Sequence, residues 1–477
     1  MRKDPVAHKL PFDHGEFLCT WSVEDHDGGT VELQGLLTLE DGKYPQGALY
    51  GELPLKSNGG AIAFPQQQDF SSIVGRLSSG GSVALMNGSL EYLFLNQGQA
   101  TGAFSILSRS DLSAKIIRKY DSIDIQMDGL DAILGKAPIS EVRFPKDSTV
   151  EPVWSAKTNK EANVSWDAEA FHMAISYSAA IRSFDAYEFR MVFGAVLKIR
   201  SDDPLTVEEW WTRWVQPLRS LVSLITRKTS DIHSLLATPE GGKLGAPKDQ
   251  VFGLGITQKS QNTSSDKVRS VKPLVNVDDD DANLLALLVN WQSRVDDRHP
   301  LLETYGTMLT VTDQHPRSRV LLYLQALEGL FGFESADERE KDEAAYTAKR
   351  ESVVQRVEGS SLERSDFKFI KKNLQRRPMS GLQNALIRIF DSLIVDLRPK
   401  LNDTELINKI RLSDSTLAKE SVEKILVKVR NDLSHGSASY EPWDLERLAN
   451  ILERIVRSES LRVIDAPESS RKRALKD

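Results

Sequence analysis

The stretch SDDPLTVEEWWTRWVQPLRSLVSLI, residues 201–225, marks the point where the pattern of the chain changes from strand to helix. Thr206 and Glu209 have the spacing of a helix capping box. Apolar residues then recur at helical spacing, which predicts an amphipathic helix: Trp211, Trp214, Val215, Leu218, Leu221, Val222 and Ile225. Trp210, Trp211 and Trp214 could form a ligand platform, but such a stripe is more typical of a buried core.

The residues before this stretch read mainly as strands. Short runs with rough apolar alternation are bounded by Gly, Asn and Asp turns, among them GEFLCTWSV (15–23), TVELQGLLTLE (30–40), GSLEYLFLNQG (88–98) and YEFRMVFGAVLKIR (187–200). This pattern is typical of antiparallel sheets. It predicts a sandwich or barrel-like sheet in residues 1–204.

The residues of about 229–281 are mixed and turn-rich, and the chain beyond them reads as helices, so the predicted fold class is α+β. From Asn283 onward, apolar residues recur at helical spacing in several long segments. The Asp run at 278–281 lacks calcium-loop spacing and is expected at a helix N-terminus. His299 and His315 precede proline, a pattern that more often starts a helix than binds a metal. We predict a connecting helical region at 205–312, a helical bundle at 313–465 and a disordered basic tail at 466–477.

Composition limits the kinds of partner. The chain has 477 residues and a formal net charge of -7, so a nucleic acid would have to meet a local basic patch. One cysteine, Cys19, permits no internal disulfide, which suits a reducing compartment. The first residues lack the apolar run of a signal peptide, and no long apolar segment predicts a membrane span. We expect a cytoplasmic protein without membrane contact.

Signatures of several common enzyme classes are missing from the sequence. The segment DHDGG at 25–29, with His8 and His14 nearby, matches no zinc spacing and is better read as a solvated loop. No phosphate-binding P-loop and no G-x-S-x-G elbow occurs. The sequence therefore predicts neither a metal nor a cofactor.

The stretch VKVRNDLSHGSASY, residues 427–440, combines the end of a helix with two reactive side-chain types. Gly436 is suited to the left-handed residue that closes a helix at His435. Arg430 and His435 lie about 140° apart on an ideal helix, whereas Asn431 and His435 share a face. Arginine grips phosphate oxygens and histidine transfers protons near neutral pH. Together they suit RNA cleavage by the 2′-OH without a metal; the alternative is a helix C-terminus whose charge complements the dipole.

The segment RNDLSH is similar to the R-x4-6-H motif of HEPN ribonucleases. The whole chain resembles the ApeA-like branch of anti-phage HEPN proteins. The resemblance is carried by GEFLCTWSV, TVELQGLLTL, PLTVEEWWTRWVQPL (204–218), LLYLQALEGLF (321–331) and VRNDLSHG (429–436). It implies a C-terminal HEPN bundle that dimerises and cuts RNA.

The resemblance also implies roles for individual residues. Arg430 would stabilise the scissile phosphate, His435 would act as acid or base, and Asn431 would orient His435 or contact the phosphate. Glu328 is either an acidic partner of Arg430 or His435 or a structural salt bridge. Lys368, Lys371, Lys372 and Arg376 lie on a basic helix with Arg364, which either follows an RNA backbone or is a solvated face.

The expected function is an endoribonuclease in abortive anti-phage defence. It would cut tRNA or another host RNA to 2′,3′-cyclic phosphate ends, restrained or triggered through the β-rich half by a phage-derived product. The alternative is a non-catalytic HEPN dimerisation or RNA-binding module whose β-rich half is a ligand receptor. The intact Arg430, Asn431 and His435 set favours the enzyme, because a scaffold has no need of it.

Overall fold

The structure, a computed structural model, describes residues 5–24, 29–52, 54, 64–113, 117–143, 155–182, 189–242, 245–359, 363–373 and 381–476. The chain divides into two compact units, Met1–Val289 and Asn290–Asp477. The first unit is rich in strands and the second is helical. The predicted α+β class is confirmed.

The strands of the first unit are antiparallel to their neighbours. They are β1 Gly15–Glu24, β2 Thr30–Leu39, β3 Gln46–Tyr50, β4 Gln66–Leu77, β5 Ser82–Phe94, β6 Gln97–Ser108, β7 Tyr120–Met127, β8 Ile139–Arg143, β9 Ser155–Thr158, β10 Val164–Ala168, β11 Phe171–Arg182, β12 Arg190–Leu205, β13 Ile232–Pro239 and β14 Asp249–Gly253. Among the described residues, β8 and β9 pair with each other and the others form one twelve-stranded sheet.

Part of this sheet closes on itself. The order β6-β3-β2-β1-β4-β5 returns to β6, because β5 also pairs with β6. The sheet then continues from β6 through β14, β13, β7, β12, β11 and β10. The first six strands therefore make a barrel-like ring, which is one of the two arrangements that the alternating runs predict.

The ring is filled by a core centred on Trp21. The indole is fully buried, and its Nε1 donates a hydrogen bond to the Ala48 carbonyl at 3.0 Å. A Cβ at Gly35 or at Gly75 would lie 2.8 Å from an atom of the Trp21 indole. These two strand positions lack a side chain because the indole approaches their backbone closely.

The predicted helix after β12 is formed by three consecutive helical segments. It consists of α2 Val207–Trp210, a π-helical turn Trp211–Val215 and α3 Gln216–Thr226, preceded in the chain by α1 Leu130–Leu134. The capping box is confirmed, since Thr206 and Glu209 each accept a hydrogen bond from the other's backbone N–H. Trp210, Trp211 and Trp214 are buried, and Trp210 Nε1 donates to the Tyr120 carbonyl at 3.1 Å. The core interpretation is correct, and the ligand platform is wrong.

The strand-rich part extends beyond the predicted boundary at residue 204. Strands β13 and β14 follow α3 and lie inside the sheet, between β7 and β6. The region 205–312 is therefore not simply a helical connection. All residues of β14 are buried, and so are all residues of β13 except the last two. These strands therefore lack the apolar–polar alternation that predicts a half-buried strand.

Short helices complete the first unit. They are α4 Ser265–Arg269 and α5 Val277–Asp280, and α6 Leu284–Asp296 contains the boundary between the units. The Asn276 side chain accepts hydrogen bonds from the backbone N–H groups of Asp278 and Asp279. The first three residues of the acidic run therefore lie in the first turn of α5, as predicted, whereas Asp281 is the left-handed C-cap of this short helix.

The second unit is a bundle of helices. These are α7 Pro300–Leu309, α8 Pro316–Glu334, α9 Ala336–Glu358, α10 Arg364–Asn373, α11 Leu382–Ser392, α12 Arg398–Asn402, α13 Glu405–Ser413, α14 Val422–His435, α15 Pro442–Val463 and α16 Glu468–Lys476. His299 and His315 are the N-caps of α7 and α8, which confirms the helix-start interpretation. Helix α8 packs against α7, α11, α14 and α15.

A polar network fixes α8 against α15. Arg319 on α8 donates hydrogen bonds to Glu446 at 2.6 Å and to Glu453 at 2.8 Å. Glu453 also accepts hydrogen bonds from Tyr305 at 3.2 Å and from Arg457 at 2.6 Å. A satisfied network with little solvent contact specifies one packing arrangement. It gives α8, the helix that carries Glu328, a defined position in the bundle.

The predicted disordered tail is wrong. Residues 468–476 form α16, and Ser470, Ala474 and Leu475 are buried. Ser470 and Ala474 are four residues apart and therefore lie on one face of α16, and α16 packs against α15. The tail is ordered because this small face is covered, although most of its residues are charged or polar.

Candidate functional site

Helix α14 presents the Arg–His motif in a well-capped frame. The Ser421 side chain accepts a hydrogen bond from the Lys424 N–H at the start of the helix. Gly436 has a φ of 68°, and its N–H donates to the Asp432 carbonyl. The helix therefore ends at His435 with a left-handed glycine, as the sequence predicts.

Arg430 lies between Glu328 and Asn431. Its Nη2 is 3.2 Å from Glu328 Oε2 on α8, and its Nη1 donates to Asn431 Oδ1 at 3.2 Å. The exposed fractions of the Arg430 and Glu328 side chains are 40% and 35%. The structure thus brings Glu328 to Arg430, one of the two partners that the sequence left open. Glu328 and Asn431 orient the Arg430 guanidinium, and part of this guanidinium faces solvent.

His435 is the last residue of α14, and its side chain is exposed. Among the described residues the imidazole has no hydrogen-bond partner. Asn431 precedes it by one turn and is also exposed. The last turn of α14 therefore offers an imidazole, an amide and part of a guanidinium to solvent, and this combination can bind a phosphate and transfer a proton.

Arg317 is a further cation beside this turn. Its guanidinium donates a hydrogen bond to the Leu433 carbonyl in the last turn of α14. That carbonyl is among those without a partner inside the helix. Arg317 thus ties the first turn of α8 to the end of α14. No local motif marks it, because the contact joins residues 116 positions apart.

Asp432 anchors the chain that follows His435. Its carboxylate accepts hydrogen bonds from Tyr440 at 2.5 Å and from Ser437 at 3.0 Å, and Lys428 lies 3.2 Å away. Burial raises the pKa of Asp432, but these hydrogen bonds and Lys428 outweigh burial and leave it below its usual value. The loop after the helix is thereby bound back to α14. No sequence pattern singles out Asp432, because its partners lie outside the motif.

We expect Tyr440→Phe to loosen this loop. A hydrogen bond to a carboxylate contributes about 1.5–3 kcal/mol, so exchange of the Gly436 and Ser437 amides should accelerate by about tenfold or more at neutral pH. The folded pKa of Asp432 is lowered, so its stabilisation is present above the usual carboxyl pKa and disappears as the pH falls through the lowered value. Hydrogen exchange should therefore differ between wild type and variant at neutral pH and converge only well below the usual aspartate pKa of about 3.9. Tyr50→Phe, at an exposed tyrosine of the first unit, is the control. Equal exchange at neutral pH would contradict the anchoring role.

The predicted RNA-contacting helix is α10. Lys368 and Lys372 are exposed on it, whereas the side chain of Lys371 and the whole of Arg376 lie outside the described residues. Helix α10 packs against α9, while α14 packs against α8, α11, α12 and α13. The structure therefore brings Glu328 to the Arg–His motif, whereas the basic helix α10 packs against α9, a helix that is not among these neighbours of α14.

The described parts of the chain contain no group of three or more His, Cys, Asp or Glu side chains arranged to hold a metal ion. The DHDGG loop falls largely outside them, at residues 25–28. No helix in these parts has both the length and the apolar character needed to cross a membrane.

Comparison with known families identifies the first unit. Residues 16–291 match the family described as ApeA N-terminal domain 1, which is more than half of the chain. The chain therefore belongs to this family and is an ApeA-like protein. Membership supports a role in anti-phage defence. No curated protein and no solved structure matches the chain.

Proposed function

We propose that the protein is a metal-independent HEPN endoribonuclease that acts in abortive anti-phage defence. The observation that carries the proposal is the end of α14, where Arg430, oriented by Glu328 and Asn431, precedes an exposed His435. The family of residues 16–291 supports the defence role. The substrate is tRNA or another host RNA, whose loss stops growth of the infected cell.

RNA supplies its own nucleophile, so the protein needs to move protons and stabilise charge. The 2′-oxygen attacks the adjacent phosphorus, the bond to the 5′-oxygen breaks, and a 2′,3′-cyclic phosphate forms. His435 removes the 2′-OH proton or protonates the leaving 5′-oxygen. Arg430 holds the phosphate oxygens, whose negative charge increases in the transition state. Asn431, bonded to Arg430 and one turn from His435, connects the two.

A dimer would complete the site. Arg430 and His435 point about 140° apart on an ideal helix, so one copy aims them poorly at a single phosphate. Two copies of α14 facing one cleft would let Arg430 of one act with His435 of the other. We propose a homodimer formed by the helical bundle. Light scattering tests it: a monomer that cuts RNA at full rate would rule out a shared site.

The other parts of the chain have their own tasks in this function. The bundle, including residues 313–465, is the nuclease, and the β-rich unit restrains it or recognises a phage-derived trigger. Restraint is needed because an unrestrained nuclease would kill its own host. The α10 residues Lys368, Lys371, Lys372 and Arg376 would follow the RNA backbone, because lysine and arginine neutralise phosphates.

The decisive test is the chemistry of the RNA ends. Full-length protein, purified from infected and uninfected cells, is incubated with small RNA in EDTA, and fragment 3′ ends are assayed for cyclic phosphate. We expect discrete fragments with cyclic phosphate ends. In a separate binding measurement, we expect a Lys368→Glu, Lys372→Glu double variant to bind RNA more weakly than wild type. Cleavage that stops in EDTA, or that leaves 3′-hydroxyl ends, would overturn the mechanism. Unchanged RNA binding by the double variant would remove α10 from the RNA surface.

A non-catalytic binding module is the second candidate. The observation that favours it is the Arg430–Glu328 ion pair, which is also what a purely structural contact between α14 and α8 would look like. In that case the bundle would dimerise or dock RNA without cutting it. Intact RNA under every condition, with phage protection unchanged by loss of His435, would support this alternative.

A further inference from the structure

A cavity of about 370 Å³ opens in the β-rich unit, far along the sequence from the Arg–His motif. Its walls come from the end of β7 and helix α1, from the chain between α3 and β13, and from residues 261–271, which include α4. The volume lies within the range of about 300–1,000 Å³ that is typical of small-molecule sites. Nothing in the nuclease mechanism uses this cavity.

Two polar atoms in its wall have no partner. Among the described residues, Asp131 Oδ1 and Thr263 Oγ1 are buried and neither makes a hydrogen bond of normal geometry. Burial raises the pKa of Asp131, and the nearby Thr263 hydroxyl offsets only part of this rise. Buried polar atoms are almost always satisfied. The Thr263 hydroxyl can supply at most one of the bonds that a carboxylate accepts, so Asp131 calls for a further hydrogen-bond donor.

The other polar side chains of the cavity do not supply these bonds. Lys267 donates to Gln261 Oε1, and Lys228 donates to the Ser270 carbonyl at 3.3 Å. His233 Nε2 lies 2.9 Å from Asp128 Oδ1, and its Nδ1 lies 3.2 Å from Gln261 Nε2. These groups hold the wall together, and none of them donates to Asp131 Oδ1.

We infer that the cavity binds a small molecule that presents paired N–H donors to Asp131, either the base of a nucleoside or a guanidinium cation. A carboxylate accepts two parallel N–H bonds, and guanine and guanidinium groups both offer such a pair. The surrounding Ser, Thr, Gln and Asn side chains suit ribose hydroxyls or a polar chain. A phosphate would meet two carboxylates, Asp128 and Asp131, at the same cavity.

Titration calorimetry on the full-length chain tests this inference and separates the two sources. The probes are guanosine, inosine and agmatine, with inorganic phosphate as the anion. Inosine keeps the ring N–H of guanosine but lacks its exocyclic amine. We expect guanosine or agmatine to bind, and inosine to bind about tenfold or more weakly than guanosine if the source is a nucleoside. Binding of phosphate in preference to both donors, or of no donor at all, would overturn the inference.

Variants locate the site. Asp131→Asn should weaken binding of the active probe by about tenfold or more, because the charged acceptor is lost. Thr263→Val is the second variant, and Asp41→Asn, at a carboxylate outside the cavity that pairs with Lys259, is the matched control. Undiminished affinity in both cavity variants would refute the assignment. RNA cleavage is not part of the readout, so this test fails or succeeds independently of the nuclease proposal.

Discussion

His435→Ala is expected to reduce RNA cleavage by about 100- to 10,000-fold, the range of a positioned general acid or base. Its imidazole is exposed and makes no hydrogen bond among the described residues, so its removal should leave the fold of α14 intact. The helix end is held by other groups, namely Gly436 and the hydrogen bonds to Asp432. The measurement is the rate of fragment formation from a defined RNA under single-turnover conditions.

His172→Ala is the control for this variant. His172 is also a solvent-accessible histidine, but it lies on β11 in the first unit and pairs with Asp167. Its replacement should leave cleavage unchanged. Equal rates for wild type and His435→Ala would mean that His435 transfers no proton in the rate-limiting step.

A sulfur-substituted RNA separates the two possible tasks of His435. With sulfur in place of the bridging 5′-oxygen at the cleaved position, the leaving group departs without a proton. If His435 is the acid, His435→Ala should cut this RNA at nearly the wild-type rate. If His435 is the base, the defect should persist, because the 2′-OH still has to lose its proton.

The features that the sequence predicted correctly are local ones. The capping box of Thr206 and Glu209, the acidic first turn of α5 and the left-handed Gly436 each depend on residues within one helical turn. The buried tryptophans also follow from one periodic stripe. In these cases the residues that form the interaction are next to each other in the sequence.

The features that it missed depend on distant residues. The alternating runs predict a sandwich or barrel-like sheet, but neither the β1–β4 pairing that closes the ring nor the pairing of β14 with β6. Their residues carry no mark of the register that they adopt. The buried face of α16 is equally invisible, because it consists of small or isolated apolar residues among charges.

The candidate site divides in the same way. Arg430, Asn431 and His435 were found because the motif is contiguous, whereas Glu328 was left with two interpretations. The fold places Glu328 at Arg430, 102 positions away, and adds Arg317 at the end of the same helix. Whether these contacts serve catalysis is a question for mutagenesis, and Arg430 gives the sharpest answer.

Arg430→Lys is expected to lower the maximal cleavage rate by about 100- to 1,000-fold, with little change in KM for RNA. Lysine keeps the positive charge, but it lacks the planar fork that grips two phosphate oxygens. The loss should therefore appear in the transition state, where the charge on the phosphate increases. Glu328→Gln should have a smaller effect of the same kind, because it orients the guanidinium without touching RNA.

Cleavage rates, rather than folding stability, distinguish a catalytic role of Arg430 from a structural one at this ion pair. The Arg430 and Glu328 side chains are 40% and 35% exposed, so their ion pair should contribute about 1 kcal/mol or less to folding. Arg447→Lys is the matched control, since Arg447 is exposed and lies 3.8 Å from Glu405 in the same unit. A near-wild-type cleavage rate in Arg430→Lys, equal to that of Arg447→Lys, would reduce Arg430 to a structural residue. A higher KM with an unchanged maximal rate would instead make it a phosphate tether that holds RNA without stabilising the transition state.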